Sequence, residues 1–369
     1  MSRELGALAV AVATTAGVLT ACGSDDNRPS ASATALSAPG GGVGCDGKNA
    51  VTAEGSTAEQ NAIAVFNQVW GRYCPGKSVA YNPTGSGAGS EQFIAGHVDF
   101  AGTDSPLVSG QARPAAKRCN GNAAWDLPLV FGPVGLVYNL PDVHALIVNG
   151  EALAKIFSGT ITKWSDPILA ALNGGVALPD TKITPIYRSD SSGTTDSLQR
   201  YLTGAAPQTW TSGVGTEFLG GVGEGVLKSA GVIQAVRTTP GAIGYVEKGF
   251  ADQAGVPFAQ INTGNGAVAL TNDTARTAMN AVQFAADGND VVLDLNPMYA
   301  SQQPGAYPLV LATYEVVCSK GYDPETFKAI KSFLSVAVNN GQSDLSSAGY
   351  VPLPDKVKER VATAIDAMQ

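Results

Sequence analysis

The sequence predicts an α/β fold in two lobes, and three observations carry that prediction. From about residue 49, short β-prone apolar runs alternate with helical patterns, which indicates βαβ units and a largely parallel sheet. Two long apolar segments, Leu127 to Leu140 and Tyr307 to Cys318, read as passages that leave the first lobe and return to it. Three strand-to-helix turns carry glycine and small hydroxyl residues. In an open α/β sheet such turns lie at the C-terminal ends of strands, where ligands bind.

The first strand is expected near 49–54. The helix after it, over 57–70, opens Ser56-Thr57-Ala58-Glu59, a capping-box pattern, and Ile63, Phe66 and Trp70 share one face. A strand over 78–82 leads through Gly85-Ser86-Gly87-Ala88-Gly89 into a helix over 88–95, which contributes Phe93 and Ile94. A short strand over 98–101 follows, and then the first apolar passage. Beyond it come helices over 150–157 and 166–172, a strand over 182–187 and a Gly-rich stretch at 213–225. Ser192-Gly193-Thr194 opens a further helix, with Leu198, Tyr201 and Leu202 at helical spacing. After the second passage, helices over 324–338 and 355–367 complete the chain. The first lobe is then discontinuous, 45–130 with 312–369. The second spans 140–300, and 131–139 and 301–311 are the two hinge strands. No repeat with a fixed period is visible.

The N-terminal segment reads as an export signal. Ala7 to Leu19 is an apolar, small-residue run behind Arg3, too short to span a bilayer and suited to the core of a secretory signal over 1–21. It ends Leu19-Thr20-Ala21-Cys22-Gly23, which resembles a bacterial lipobox, a signal in which the cysteine is acylated and becomes the new N-terminus. An ordinary signal with a coincidental cysteine is the alternative, and Glu4 departs from the usual charge pattern of such a start. Residues 22–44 are rich in Gly, Ser, Ala and Pro and lack apolar periodicity, so they read as a flexible tether. No other segment is apolar enough to span a membrane, so the expected membrane tie is through lipid.

At 369 residues, with 44% hydrophobic and 15% charged residues, the chain can bury a substantial core. Its net charge of −8 argues against a nucleic-acid partner, which would call for a basic stripe. Four cysteines remain beyond Cys22: Cys45, Cys74, Cys119 and Cys318. An even number in an exported chain suggests two disulfides, of which three pairings are possible. Cys45 and Cys74 each sit just ahead of a strand, so the expected pairs are Cys45–Cys74 and Cys119–Cys318. Neither a C-x-x-C spacing nor clustered histidines offer a metal site.

The segment Tyr187-Arg188-Ser189-Asp190-Ser191-Ser192-Gly193-Thr194-Thr195 joins one fixed positive charge to a helix start. The first N–H groups of a helix lack partners and its dipole favours negative charge there, while a guanidinium offers a planar fork to an oxyanion. Asp190 is acidic where a pure anion trap would want no acid. Enzyme readings fare less well. The run Thr84-Gly85-Ser86-Gly87-Ala88-Gly89-Ser90 lacks the lysine of a P-loop, and Thr84 stands where a nucleophile elbow needs glycine. Only His97 and His144 could serve a nucleophile as base, and each stands alone. Asp104, before Ser105-Pro106, suits a turn cap.

These turns, Asp104 and the Arg188 segment, together with Lys155-Ile-Phe-Ser-Gly-Thr-Ile-Thr-Lys-Trp164, Pro240-Gly-Ala-Ile-Gly-Tyr-Val246 and Tyr314-Glu-Val-Val-Cys318, resemble one family. It is the extracytoplasmic phosphate-binding proteins of bacterial high-affinity phosphate ABC importers, most closely the lipoprotein forms of mycobacteria and related actinobacteria. The resemblance runs through nearly all of 48–365. It implies a two-lobed periplasmic-binding-protein fold (type II, a Venus flytrap), each lobe a mixed sheet flanked by helices, joined by a two-strand hinge. It further implies a monomeric binding protein on the outer face of the plasma membrane, without cofactor or metal, lipid-anchored at Cys22, which delivers inorganic phosphate to permease subunits.

The family's phosphate ligands fall on Thr57, the backbone of Ala58, Ser86, Asp104, Arg188, Ser192, Gly193 and Thr194, with Asp190 as the acid that holds Arg188. Ala58 stands where many members carry a bulky aromatic residue, which implies a less shielded pocket. An ionised Asp104 only accepts hydrogen bonds, so it can take the proton that phosphate carries and sulfate lacks. Two alternatives stand beside this reading. One is a binding protein for another tetrahedral oxyanion, sulfate or molybdate; the other is an extracellular phosphatase or esterase using Ser86 or Ser192.

Overall fold

The computed structural model of the chain describes residues 44–369; the signal segment, Cys22 and nearly all of the tether lie outside them. The chain begins with β1 (Ala50–Gly55), α1 (Gln60–Tyr73), β2 (Ser78–Pro83), α2 (Ser86–Ala95), β3 (Phe100–Thr103), α3 (Ser109–Arg118) and β4 (Ala124–Tyr138). It continues through β5 (Ile147–Val148), α4 (Gly150–Phe157), α5 (Pro167–Leu172), β6 (Thr184–Arg188), α6 (Gly193–Ala205), β7 (Glu224–Val226), α7 (Lys228–Thr238), β8 (Ala242–Glu247) and α8 (Lys248–Ala254). Then come β9 (Gln260–Asn262), β10 (Ala267–Val268), α9 (Asn272–Ala278), β11 (Gln283–Phe284), β12 (Leu293–Asp294), α10 (Asn296–Tyr299), β13 (Val310–Cys318), α11 (Pro324–Asn339) and α12 (Asp355–Ala367).

Eight of these strands form one sheet in the order β2-β1-β3-β13-β4-β8-β6-β7. It is parallel at both ends, where β1 lies between β2 and β3 and β6 between β7 and β8. The centre is antiparallel, because β13 runs against both β3 and β4, and β4 against β8. The sheet is therefore mixed where alternation alone predicts a largely parallel one. The two long apolar passages cause this, since each returns beside a strand that it opposes.

β4 joins the two ends. Its first part, Ala124 to Pro133, pairs with β13, and its second, Val134 to Tyr138, pairs with β8. All but its first two residues are buried, as expected of a strand covered on both faces. A register shift at Thr313/Tyr314 leaves Leu129 of β4 without an opposite residue. Such a bulge re-aims side chains locally, and the Thr313 hydroxyl points to Asp104.

The apolar face of α1 behaves as its periodicity predicts: Ile63, Phe66 and Trp70 are buried, each such burial being worth roughly 1.5–3 kcal/mol. Phe333 of α11 packs against Phe66, Trp70 and Phe100, so the last part of the chain completes the core of the first. Two disulfides staple the same half. Cys45 is joined to Cys74, and Cys119 to Cys318, the second closing a separation of 199 residues. Among the described residues no helix is long and apolar enough to cross a membrane.

The helix starts differ from expectation at one informative place. The capping box foreseen at Ser56–Glu59 does not form. The helix begins at Gln60 with Glu59 in the cap position and no side-chain cap. Ser56 instead accepts from the Ala58 N–H at 3.0 Å and donates to Asp104 at 2.7 Å. A buried carboxylate without partners attracts the hydroxyl more strongly than a helix end does.

Candidate functional site

The three hydroxyl-rich turns meet along the line where the two ends of the sheet face each other. The turn after β1 brings Ser56 and Thr57, the start of α2 brings Ser86, and the residue after β3 is Asp104. From the other side come Arg188 at the end of β6 and Ser192, Gly193 and Thr194 at the start of α6. Gly85, at φ 115°, turns the chain into α2, a backbone conformation that other residues rarely adopt.

Asp104 sits at the centre of the first group and is 6% exposed. Its Oδ1 accepts from Ser56 at 2.7 Å and from Thr313 at 2.9 Å, and its Oδ2 accepts from Ser86 at 3.3 Å. The turn that Asp104 was equally suited to cap is closed by Thr103, whose hydroxyl donates to the Ser105 carbonyl and accepts from the Ser105 N–H. Burial pushes the Asp104 carboxyl up to about 6, with the charge of Glu247 adding to the rise and the Ser56 and Thr313 hydroxyls and Arg188 opposing it.

Arg188 is 2% exposed. Its Nε donates to Asp190 Oδ1 at 2.7 Å, and its second terminal nitrogen to Asp190 Oδ2, a two-pronged pairing. The Lys228 N–H also donates to Asp190, at 3.0 Å. Burial alone would pull the Arg188 guanidinium down, but Asp190 outweighs it and holds it above its ordinary value. Burial likewise pushes Asp190 up, and Arg188 more than offsets this, so Asp190 lies below the usual carboxylate range. The acid inside the arginine segment is thus its brace, and the other terminal nitrogen reaches Ser229 at 3.4 Å.

The N-terminus of α6 presents the remaining residues. The Ser192 side chain caps the helix by accepting from Thr195 N at 3.3 Å. The Gly193 N–H points at Ser86 Oγ, 3.2 Å away, and a Cβ at Gly193 would lie 2.5 Å from that of Asp104. Only glycine permits this approach. The Thr194 hydroxyl donates to Glu247 at 2.7 Å. The two sides therefore touch through their site residues: Ser86 to Gly193, Thr57 to Ser229 at 2.8 Å, and Ser105 to Asp196 at 2.8 Å. The Ala58 N–H, by contrast, is taken up locally by Ser56.

A family model described as a PBP superfamily domain matches residues 27–340. The phosphate-binding protein PstS3 of Mycobacterium bovis (strain BCG / Pasteur 1173P2) is 44% identical over 368 residues, 99% of each chain. PstS 3 of Mycobacterium leprae is 42% identical over 369 residues, again 99% of each. The chain belongs to the PstS family within the PBP superfamily. Among solved structures, a high-affinity periplasmic phosphate-binding protein (PfluDING) bound with phosphate superposes with TM-score 0.68 at 22% identity, covering 86% of this chain and 93% of that one. A phosphate-binding protein from Stenotrophomonas maltophilia gives 0.65 at 21%, covering 86% and 94%. At these identities the likeness is one of fold, the two-lobed fold of periplasmic binding proteins.

Reasoning from sequence did not pick out Ser56, Thr313, Ser229 and Glu247. Ser56 was hidden by a local pattern that a helix cap also satisfies. Glu247 follows directly after the Pro240–Val246 motif and ends a fully buried strand, which is a legible signal. Thr313 and Ser229 carry none, because each reaches the site from an element far away in the chain.

Proposed function

We propose that this protein binds inorganic phosphate outside the plasma membrane and delivers it to the permease subunits of an ABC importer, as a binding protein and not as an enzyme. The observation that carries this reading is a braced arginine opposite a buried carboxyl acceptor within one site. Arg188 and the start of α6 attract a tetrahedral anion, while Asp104 accepts a hydrogen bond from it. Near neutral pH phosphate still has a proton to give and sulfate does not, so sulfate would meet Asp104 oxygen against oxygen.

Thr57, the Ala58 backbone, Ser86, Asp104, Arg188, Ser192, Gly193 and Thr194 are the proposed ligands, and Asp190 positions Arg188. The Ala58 N–H would have to exchange its bond to Ser56 for one to the anion. The two sides act as lobes, 45–130 with 312–369 and 140–300. They move about 131–139 and 301–311, and closure presents the permease with a defined surface. The protein would work as a monomer, without cofactor, metal or nucleic acid. Among the described residues no group of three or more His, Cys, Asp or Glu could hold a metal ion.

Calorimetric titration of the mature protein with phosphate, sulfate and molybdate tests the reading. Phosphate should bind with clear preference; a preference for sulfate or molybdate, or turnover of a phosphoester, would overturn it. The lipid anchor has its own test. Cys22→Ala should move the protein from the membrane fraction into the medium, and retention in the membrane would refute acylation at Cys22.

A further inference from the structure

Behind the first helix start, two carboxyl groups are buried against each other. Glu59 and Glu315 are both 0% exposed, and they meet over Gly102: Glu315 lies opposite Gly102 across the β13–β3 ladder, and a Cβ on Gly102 would fall 2.1 Å from Glu59 Oε2. Glu59 Oε1 and both oxygens of Glu315 are buried without a hydrogen-bond donor. The remaining oxygen, Glu59 Oε2, has only the Tyr81 hydroxyl at 3.4 Å, and that hydroxyl lies closer to the Ser56 carbonyl, at 2.7 Å. Two ionised carboxylates can only accept, so this contact needs a proton between them. Among the described residues the titratable groups that face the pair are Tyr81 on β2, Asp104 beyond β3 and Tyr350 ahead of α12, none of them a cation. Gly102 on β3 makes the room, since a Cβ there would overlap the Glu59 carboxyl.

We infer that Glu59 and Glu315 form a proton-sharing acid pair whose loss of that proton to solvent weakens anion binding, so that the pair sets the alkaline limit of the site. The inference rests on the phosphate reading above. Glu59 occupies the cap position of α1 beside Ala58, whose carbonyl is held by the Tyr350 hydroxyl at 2.6 Å. Any charge gained by the pair is therefore added directly behind the helix start that faces the anion. Burial pushes both carboxyls up; the charge of Glu315 raises Glu59 further, while the contact with Glu59 partly offsets the rise of Glu315, as expected when one proton is shared between two sites. In an effective dielectric of about 20, a unit charge roughly 10 Å from another is worth on the order of tenfold in affinity, and an added charge behind the helix start should cost about that much. By linkage, anion binding must draw a proton onto the pair.

The test is calorimetric titration with inorganic phosphate, at about pH 6 and about pH 8.5, in two buffers of different ionisation enthalpy. The wild type is compared with Glu315→Gln, which keeps the shape and supplies a donor without a titrating proton. Phosphate's own titration is common to both proteins, so the difference between them reports the pair. The wild type should take up additional proton on binding at the higher pH and lose about tenfold more affinity across the range than the variant. Equal proton counts and parallel profiles would overturn the inference. Glu59→Gln gives the same comparison from the other partner if the first variant fails to fold. If neither protein binds phosphate, the ligand reading fails on its own. The pair is then decided by the infrared carbonyl absorbance of protonated carboxyls at neutral pH: it should be weaker in Glu59→Gln/Glu315→Gln than in the wild type, the remainder reporting other buried acids such as Asp126, and equal absorbance would refute the pair.

Discussion

The two sides of the site solve opposite electrostatic problems. On the side built from β6, α6 and β8, the one buried cation is neutralised two residues away, and the pairing is complete within a single turn of chain. On the side built from β1, β3 and β13, three buried acids, Glu59, Asp104 and Glu315, lie together; among the described residues the cation that acts on them is Arg188 from across the site, and hydroxyls from Ser56, Ser86 and Thr313 hold Asp104. The donor side would fit many anions. On the proposed reading the acceptor side tolerates only one that brings a proton, which would assign selectivity to the side that looks least suited to an anion.

Removing the donor side should have the largest effect. Arg188→Ala withdraws the buried guanidinium proposed to hold the anion and leaves Asp190 without its charged partner. Phosphate affinity should fall by about 3–5 kcal/mol, measured by calorimetry, and an unchanged affinity would remove Arg188 from the site. The acceptor side is broken by Asp104→Asn, which offers an amide donor to an oxyanion. Here the expected change is in discrimination: the preference for phosphate over sulfate should narrow by about 1–3 kcal/mol in competition titrations. An unaltered ratio would place selection elsewhere.

The smallest effect sharpens the contrast through stability of the ligand-free protein. Asp104 at about 6, Asp126 at about 7 and Glu315 at about 7 are all raised by burial. A carboxyl with a raised folded-state value contributes stability that is complete below its unfolded value and is lost as pH rises through the folded one. Melting temperature should therefore increase by a few degrees as pH is lowered from about 8 towards about 5. Asp190 has the opposite sign, and its contribution disappears only below the ordinary carboxylate range. Differential scanning calorimetry across that range checks the first, and its extension to about pH 3 checks the second. In Glu59→Gln/Glu315→Gln the slope should be shallower.

The chain itself determined what can be settled over a few residues. The α1 stripe, the helix start at Ser192 and the closeness of Arg188 to Asp190 all follow from local spacing, where periodicity and capping chemistry act. The pairing of Cys45 with Cys74 was one of three possibilities open to the sequence. Tertiary structure decided the rest. Ser56 had a local partner in the pattern and found a better one in Asp104, 48 residues on. Thr313 reaches the same carboxyl across 209 residues because β13 returns beside β3, with a bulge that turns it inward. An acid in the run Tyr314-Glu-Val-Val-Cys318 could be seen to be buried, but not what it would face. Local sequence fixes which groups a segment offers; only the packing of distant strands fixes which of them must share a proton, because burial and proximity are properties of the assembled core.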